Sequence, residues 1–154
     1  MDKPVRISVV GAGRADASLY ELAKEVGERI ALRGGVLICG GLGGVMEAAC
    51  RGASSAGGLT VGILPGSDAL EANSWVKVAL PTGIGHARNV LVVQAGDAVV
   101  ALPGEWGTMS EISIALKTGR PVIGVGAWGE IEGVVVERDA ESAVRKAFEL
   151  AGGA

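Results

Sequence analysis

The stretch DAVVALPGEWGTMSE, Asp97 to Glu111, decides how the chain folds. Val99 to Leu102 is a short, continuous apolar run. Pro103-Gly104-Glu105-Trp106-Gly107 breaks it, and a helix is expected from Thr108 to Lys117, with Gly119 and Pro121 as stop signals. A strand that is apolar on both faces belongs inside a parallel sheet, and a glycine-rich turn from its carboxyl end into a helix is the repeating unit of such sheets.

The same unit recurs on either side. Val5 to Val10 reads as a first strand, followed by a helix between Asp16 and Arg33 that places Leu19, Leu22, Val26 and Ile30 at helical spacing and stops at Gly34-Gly35. Val36 to Cys39 reads as a second strand. Gly40-Gly41-Leu42-Gly43-Gly44 then opens a helix with Val45, Met46, Ala49 and Ala53 on one face. Thr60–Leu64, Trp75–Leu80, Val122–Val125 and Val134–Val136 read as further strands, and Asp139 as the N-cap of a last helix reaching Leu150. Val90 to Val93 alone fits a strand or a buried helix, and alternation with its neighbours favours helix. The expected fold is a single Rossmann-like domain over residues 1–154, a three-layer α/β/α sandwich with a mostly parallel sheet.

Composition narrows the function. Hydrophobic residues make up 49% and charged residues 20% of the 154 positions, which excludes disorder. A formal net charge of -3 leaves no basic footprint for nucleic acid or acidic membranes, and 3% aromatic content does not build a base-stacking platform. No apolar run has the length of a membrane span, and the N-terminus does not read as a signal peptide, so a cytoplasmic protein is expected. Cys39 and Cys50 match no metal or redox spacing; Cys39 reads as a buried thiol. No metal site and no cofactor are implied. The 26 glycines cluster just after the apolar runs, where loops leave the strands and ligands bind.

Gly11-Ala12-Gly13-Arg14-Ala15-Asp16 begins like the dinucleotide fingerprint but ends in Asp16, and the second strand closes in Cys39-Gly40 rather than in a ribose-binding carboxylate. A nicotinamide or flavin dinucleotide is therefore not expected, and no P-loop is present. The loops Gly40–Gly44 and Pro103–Thr108 suit a phosphate better: glycines let backbone N–H groups approach an anion at a helix N-terminus. The candidate phosphate-binding residues are Gly11, Gly41, Gly43, Gly44, Gly104, Gly107 and Thr108. Plain tight turns are the alternative. Thr108-Met109-Ser110-Glu111 also fits a capping box, which would make Glu111 a helix cap, and Arg88 reads equally as a surface charge at a helix start.

GGLGGVMEA (Gly40 to Ala48), TGIGHARN (Thr82 to Asn89) and DAVVALPGEWGTMSE, in that order, resemble the Lonely Guy (LOG) family of Rossmann nucleotide-binding proteins, also described as possible lysine decarboxylases. Lysine decarboxylation itself is not expected, because no lysine has the context of a pyridoxal phosphate site. The resemblance runs from the first strand to about Trp128. It implies hydrolysis of the N-glycosidic bond of a cytokinin riboside 5′-monophosphate, with Arg88 and Glu111 as the catalytic pair, Gly107 and Thr108 on the phosphate, and a homodimer. The partner it implies is a nucleoside monophosphate or another phosphorylated small molecule.

Two positions depart from the family. Glu105 stands at the second glycine of P-G-G, and a carboxylate about 4 Å from an anion costs on the order of 4 kcal/mol at an effective dielectric near 20. Asn89 replaces the lysine of the plant-type M-x-x-R-K element. The form of the motifs is closer to a short bacterial branch similar to the molybdenum cofactor carrier proteins, which bind a phosphorylated pterin without cleaving it. The DNA-processing protein A family shares the fold, but the acidic composition argues against nucleic acid.

Overall fold

A computed structural model describes residues 3–152. Seven strands form one sheet: β1 (Arg6–Val10), β2 (Val36–Cys39), β3 (Thr60–Leu64), β4 (Val78–Pro81), β5 (Ala98–Ala101), β6 (Val122–Val125) and β7 (Val135–Glu137). The order is β4-β3-β2-β1-β5-β6-β7 and every pairing is parallel. The five helices are α1 (Ala17–Leu32), α2 (Val45–Ser55), α3 (Arg88–Ala95), α4 (Trp106–Lys117) and α5 (Ala140–Gly152). α1, α2 and α5 share one core with Ile7, Val9, Leu37 and Val100, while α3 and α4 cover the other face through Val92, Val93, Ile112 and Ala115. The expected three-layer α/β/α fold is what the chain adopts, with the run at Val90 to Val93 inside α3.

Each layer follows from local chemistry. Four consecutive buried residues in β1 and in β5 have apolar side chains on both faces apart from Ser8, whose hydroxyl donates to the Val92 carbonyl at 2.6 Å. Asp16 caps α1 by accepting from the Leu19 amide at 2.8 Å, and Asp139 caps α5 by accepting from the Ser142 amide at 2.8 Å. α1 and α2 meet at glycines. A Cβ on Gly27 would lie 2.7 Å from the Ala49 carbonyl carbon and overlap its oxygen, so the two backbones approach only because that side chain is absent.

Two elements start two or more residues away from expectation, the others lying closer. The fourth strand begins at Val78, not Trp75: Asn73 accepts from the Trp75 amide at 3.0 Å and donates to the Leu42 carbonyl at 2.9 Å, which turns Trp75 out of strand geometry. α4 starts at Trp106 with Glu105 at its N-cap, two residues before Thr108. The capping box is therefore not formed; Thr108 sits in the first turn and Glu111 one turn further in.

The chain runs outward from β1 to β4 and then crosses to β5 on the other side of β1. Between the carboxyl ends of β1 and β5 lies the topological switch point, where open α/β sheets bind ligands.

Candidate functional site

The loops at the switch point are stitched together by their backbones. The Ala12 amide donates to the Pro103 carbonyl at 2.9 Å, and the Val45 amide donates to the Ala12 carbonyl at 2.9 Å. Those two bonds fix the loop after β1 against the loop after β5 and against the start of α2. They also occupy the first amide of α2; the next two amides of α2, Met46 and Glu47, like those of Gly107 and Thr108 in α4, have no intrahelical acceptor by helix geometry. Both helix N-termini are therefore electropositive ends at the switch point, Met46 of α2 and Gly107 and Thr108 of α4 lining the space between them.

A cleft of about 240 Å³ opens there, lined by Gly11, Gly13, Met46, His86, Arg88, Asn89, Glu105, Gly107, Thr108 and Glu111. It brings together five of the nine candidate site residues, Gly11, Arg88, Gly107, Thr108 and Glu111, with Glu105 and Asn89, the two departures from the family pattern. The others lie outside its lining. Gly41 (φ 81°) gives its carbonyl to the Asn73 amide at 2.9 Å and packs against Leu64. Gly44 (φ 64°) is the N-cap of α2, pressed against the Ala12–Arg14 backbone, with Gly43 near the Gly13 carbonyl. Gly104 lies beneath Thr108 and lines a neighbouring hollow. Gly41 and Gly44 are thus held in close packing, and the Gly40–Gly44 loop adjoins the cleft through Gly13, Met46 and Arg88.

The two charged residues at the cleft floor are both buried, with Arg88 and Glu111 each 8% exposed. Arg88 opens α3 and Glu111 lies in α4, helices that pack against each other. Burial raises the Glu111 carboxyl to about 7, opposed by the attraction of Arg88. Burial also pulls Arg88 below the usual guanidinium range, opposed by Glu111 and then Cys39. Among the described residues no ion pair closer than 4.0 Å joins them. Instead the Nη1 of Arg88 donates to Oδ1 of Asn89, and Nε of Arg88 is buried without a partner. Both residues line the same cleft, the arginine keeping one buried donor without a partner and the glutamate a carboxyl that titrates near neutral pH.

Sequence reasoning missed the supports of this pair. Asn89, 4% exposed, passes the arginine contact on: its Nδ2 donates to Ser110 Oγ at 3.0 Å, and Ser110 donates to the Gly107 carbonyl at 2.8 Å. The guanidinium rests on Gly40, where a Cβ would stand 2.7 Å from Nη2 of Arg88 and 2.8 Å from the Met46 sulfur. Gly40 could have been found as the first glycine of its loop; the Asn89 relay depends on the α3–α4 docking and left no local signal. His86 lines the cleft from an exposed position. Among the described residues no group of three or more His, Cys, Asp or Glu is placed to hold a metal, and no helix is long and apolar enough to cross a membrane.

A doubly wound α/β domain with open helix termini and a buried arginine and glutamate at its switch point defines a class of Rossmann-like proteins. Within it, the chain belongs to the SLOG cluster4 family, which it matches over residues 4–150. It is 48% identical over 142 residues to an uncharacterized protein of Archaeoglobus fulgidus, covering 92% of this chain and 93% of that one. It is 34% identical over 133 residues to the cytokinin riboside 5′-monophosphate phosphoribohydrolase of Mycobacterium tuberculosis, covering 80% of this chain and 71% of that enzyme. Among solved structures it is similar to the molybdenum cofactor carrier protein of Chlamydomonas reinhardtii, with 32% identity, a TM-score of 0.89, and 96% and 98% of the two chains covered.

Proposed function

We propose that the chain is a nucleoside 5′-monophosphate phosphoribohydrolase, which cleaves the N-glycosidic bond to a free base and ribose 5-phosphate. The observation that carries it is the Glu111 carboxyl held at about 7, beside the unpartnered Arg88 Nε, in one cleft with Gly107 and Thr108. The kinship with the mycobacterial phosphoribohydrolase supports the same reading.

In this mechanism the 5′-phosphate accepts hydrogen bonds from the Gly107 and Thr108 amides and the Thr108 hydroxyl. The ribose then lies over Arg88, whose guanidinium engages its hydroxyls and fixes the sugar. As the bond from C1′ to the base nitrogen lengthens, positive charge builds on the ribose, and ionised Glu111 stabilises it. Glu111 accepts a proton from a water whose oxygen bonds to C1′; the base leaves with the bonding electron pair and takes up that proton. Arg88 and Glu111 are the catalytic residues; Asn89 is a positioning residue acting through Arg88.

The test is chromatographic detection of free base from AMP, GMP, other nucleoside monophosphates and a cytokinin riboside monophosphate. Release by the wild type and its loss in Glu111→Gln are expected, with kcat/KM falling about tenfold per pH unit below about 7 as Glu111 takes up its proton. Absence of base from every nucleotide, with folded protein, overturns the reading.

A second reading is a non-catalytic carrier of a phosphorylated pterin or nucleotide. It is favoured by the near full-length likeness to the algal carrier protein, against 71% coverage of the hydrolase. Tight binding of a phosphorylated ligand without base release would establish it.

A further inference from the structure

Beside the phosphate cleft lies a second hollow of about 320 Å³, lined by Gly104, Glu105, Trp106, Met109 and Trp128. Glu105 lines both, so the two spaces adjoin at this residue. Trp128 forms the floor. It is buried, held at φ 69° in the left-handed region, and anchored by its indole N–H donating to the Leu102 carbonyl at 2.9 Å. Trp106, by contrast, is 81% exposed at the first position of α4. Most of its ring area is in contact with water, and it stands next to the amides assigned to the phosphate. Glu105 occupies the N-cap of α4, yet its carboxylate does not turn back to cap the helix. Among the described residues its exposed carboxylate has no hydrogen-bond or ion-pair partner, and it stands next in sequence to Trp106 on the rim of both spaces.

We propose that this hollow is the subsite for the ligand's ring, and that it selects a fused heterocycle with a 2-amino-4-oxo-pyrimidine edge. Guanine nucleotides and phosphorylated pterins share that edge. It presents two adjacent donors, a ring N–H and an exocyclic NH₂, spaced to meet the two oxygens of one carboxylate. Adenine presents an NH₂ beside a bare ring nitrogen, whose lone pair opposes a carboxylate. Glu105 therefore accepts two charge-assisted hydrogen bonds from the first edge and meets repulsion from the second. Trp106 supplies a face for the ring to stack on, and the Met109 side chain contacts its edge. The glutamate beside the anion site, a liability for phosphate binding, thereby acquires a partner when a ring of this type is bound. The assignment rests on the phosphate cleft of the preceding reading and names the ligand class that the cleft serves.

The experiment is calorimetric titration of the wild type and Glu105→Gln with GMP, IMP, AMP and neopterin monophosphate. The exposed position of Glu105 lets the variant fold. Because removing the charge also relieves repulsion toward every phosphate, the readout is the ratio of affinities. In the wild type GMP is expected to bind at least tenfold more tightly than AMP, with IMP between them, and in Glu105→Gln the ratio collapses toward one. A wild-type ratio near one, or a ratio unchanged in the variant, overturns the proposal while leaving the phosphate cleft standing. Failure of all four ligands to bind overturns the cleft as well. Neopterin monophosphate binding more tightly than GMP identifies the pterin as the source of the shared edge, and the reverse identifies the nucleotide. Should the ratio be near one and Trp106→Ala shift the sedimentation coefficient, the hollow is covered by a second copy of the chain and the proposal fails.

Discussion

Replacing Glu111 by glutamine should make the protein more stable at alkaline pH while removing its chemistry. The carboxyl titrates at about 7 in the fold and at 4.5 ordinarily, because burial disfavours the charge more than Arg88 favours it. Between those values the folded chain keeps a proton that the unfolded chain releases. The folded state binds more protons, so stability falls as pH rises through this window, and the loss is complete above about 7. At about 1.4 kcal/mol per pH unit, the penalty approaches about 3 kcal/mol. Against a net stability of roughly 5–15 kcal/mol for a domain, that is a large fraction.

Glutamine has nearly the same shape and carries no charge, so it keeps the packing and drops the penalty. Urea unfolding of wild type and Glu111→Gln at pH 8.5 and pH 5 measures the difference, other titrating groups being common to both. The variant should be more stable by about 3 kcal/mol at pH 8.5, shrinking below about 1 kcal/mol at pH 5, where Glu111 is protonated in the fold. The attraction of Arg88 is already contained in the value of about 7, so its loss does not enter twice. A variant less stable than wild type at pH 8.5 would refute the reasoning, since Glu111 would then be an ionised partner stabilising Arg88. A difference independent of pH would refute it equally.

Two glycines give further predictions with opposite signatures. Gly40→Ala puts a methyl where the Arg88 guanidinium and the Met46 sulfur now lie, both ends of flexible side chains. The unfolding free energy from urea titration should change by less than about 1 kcal/mol while base release falls about a hundredfold, because a displacement near 1 Å is felt in positioning; unchanged turnover would show that Arg88 needs no such seat. Gly27→Ala meets the Ala49 backbone carbonyl instead, and neither helix can yield without moving the other. It should destabilise by about 2 kcal/mol or more, overriding a helix-propensity gain of about 1 kcal/mol; a net stabilisation would mean that α1 and α2 do not approach as described.

The sheet was legible because parallel strands buried on both faces read as unbroken apolar runs, and β2, β3 and β6 have the bounds expected of them. The misread starts arose where a side chain outcompeted local pattern. Asn73 folds Trp75 into a turn, and α4 begins at Trp106 after an N-cap, Glu105, that makes no side-chain bond, so the T-x-x-E pattern at Thr108 pointed two residues too late. At the site, the glycine loops were visible but their division of labour was not. Gly41 and Gly44 make a loop compatible with Leu64 and Ala12, residues distant in sequence, whereas Gly107 stands at an open helix terminus. Arg88 and Glu111 were selected by resemblance; that they share a cleft, with Asn89 binding the arginine, follows from the docking of α3 on α4.

The electrostatics of the cleft bear on whether it cleaves or only holds its ligand. For a pure carrier of an anion, Glu111 is a double cost: its ionised form is disfavoured by burial, and it repels the phosphate that Gly107 and Thr108 are placed to attract. A neutral residue there would raise both stability and affinity. For hydrolysis the same carboxyl is the useful part, since a base near neutrality, screened from water and set beside an arginine with a free donor, is what the developing charge at C1′ requires. The Glu111→Gln variant separates the two. A carrier should bind GMP more tightly after the substitution and lose nothing else; a hydrolase should gain the same affinity and stop turning over.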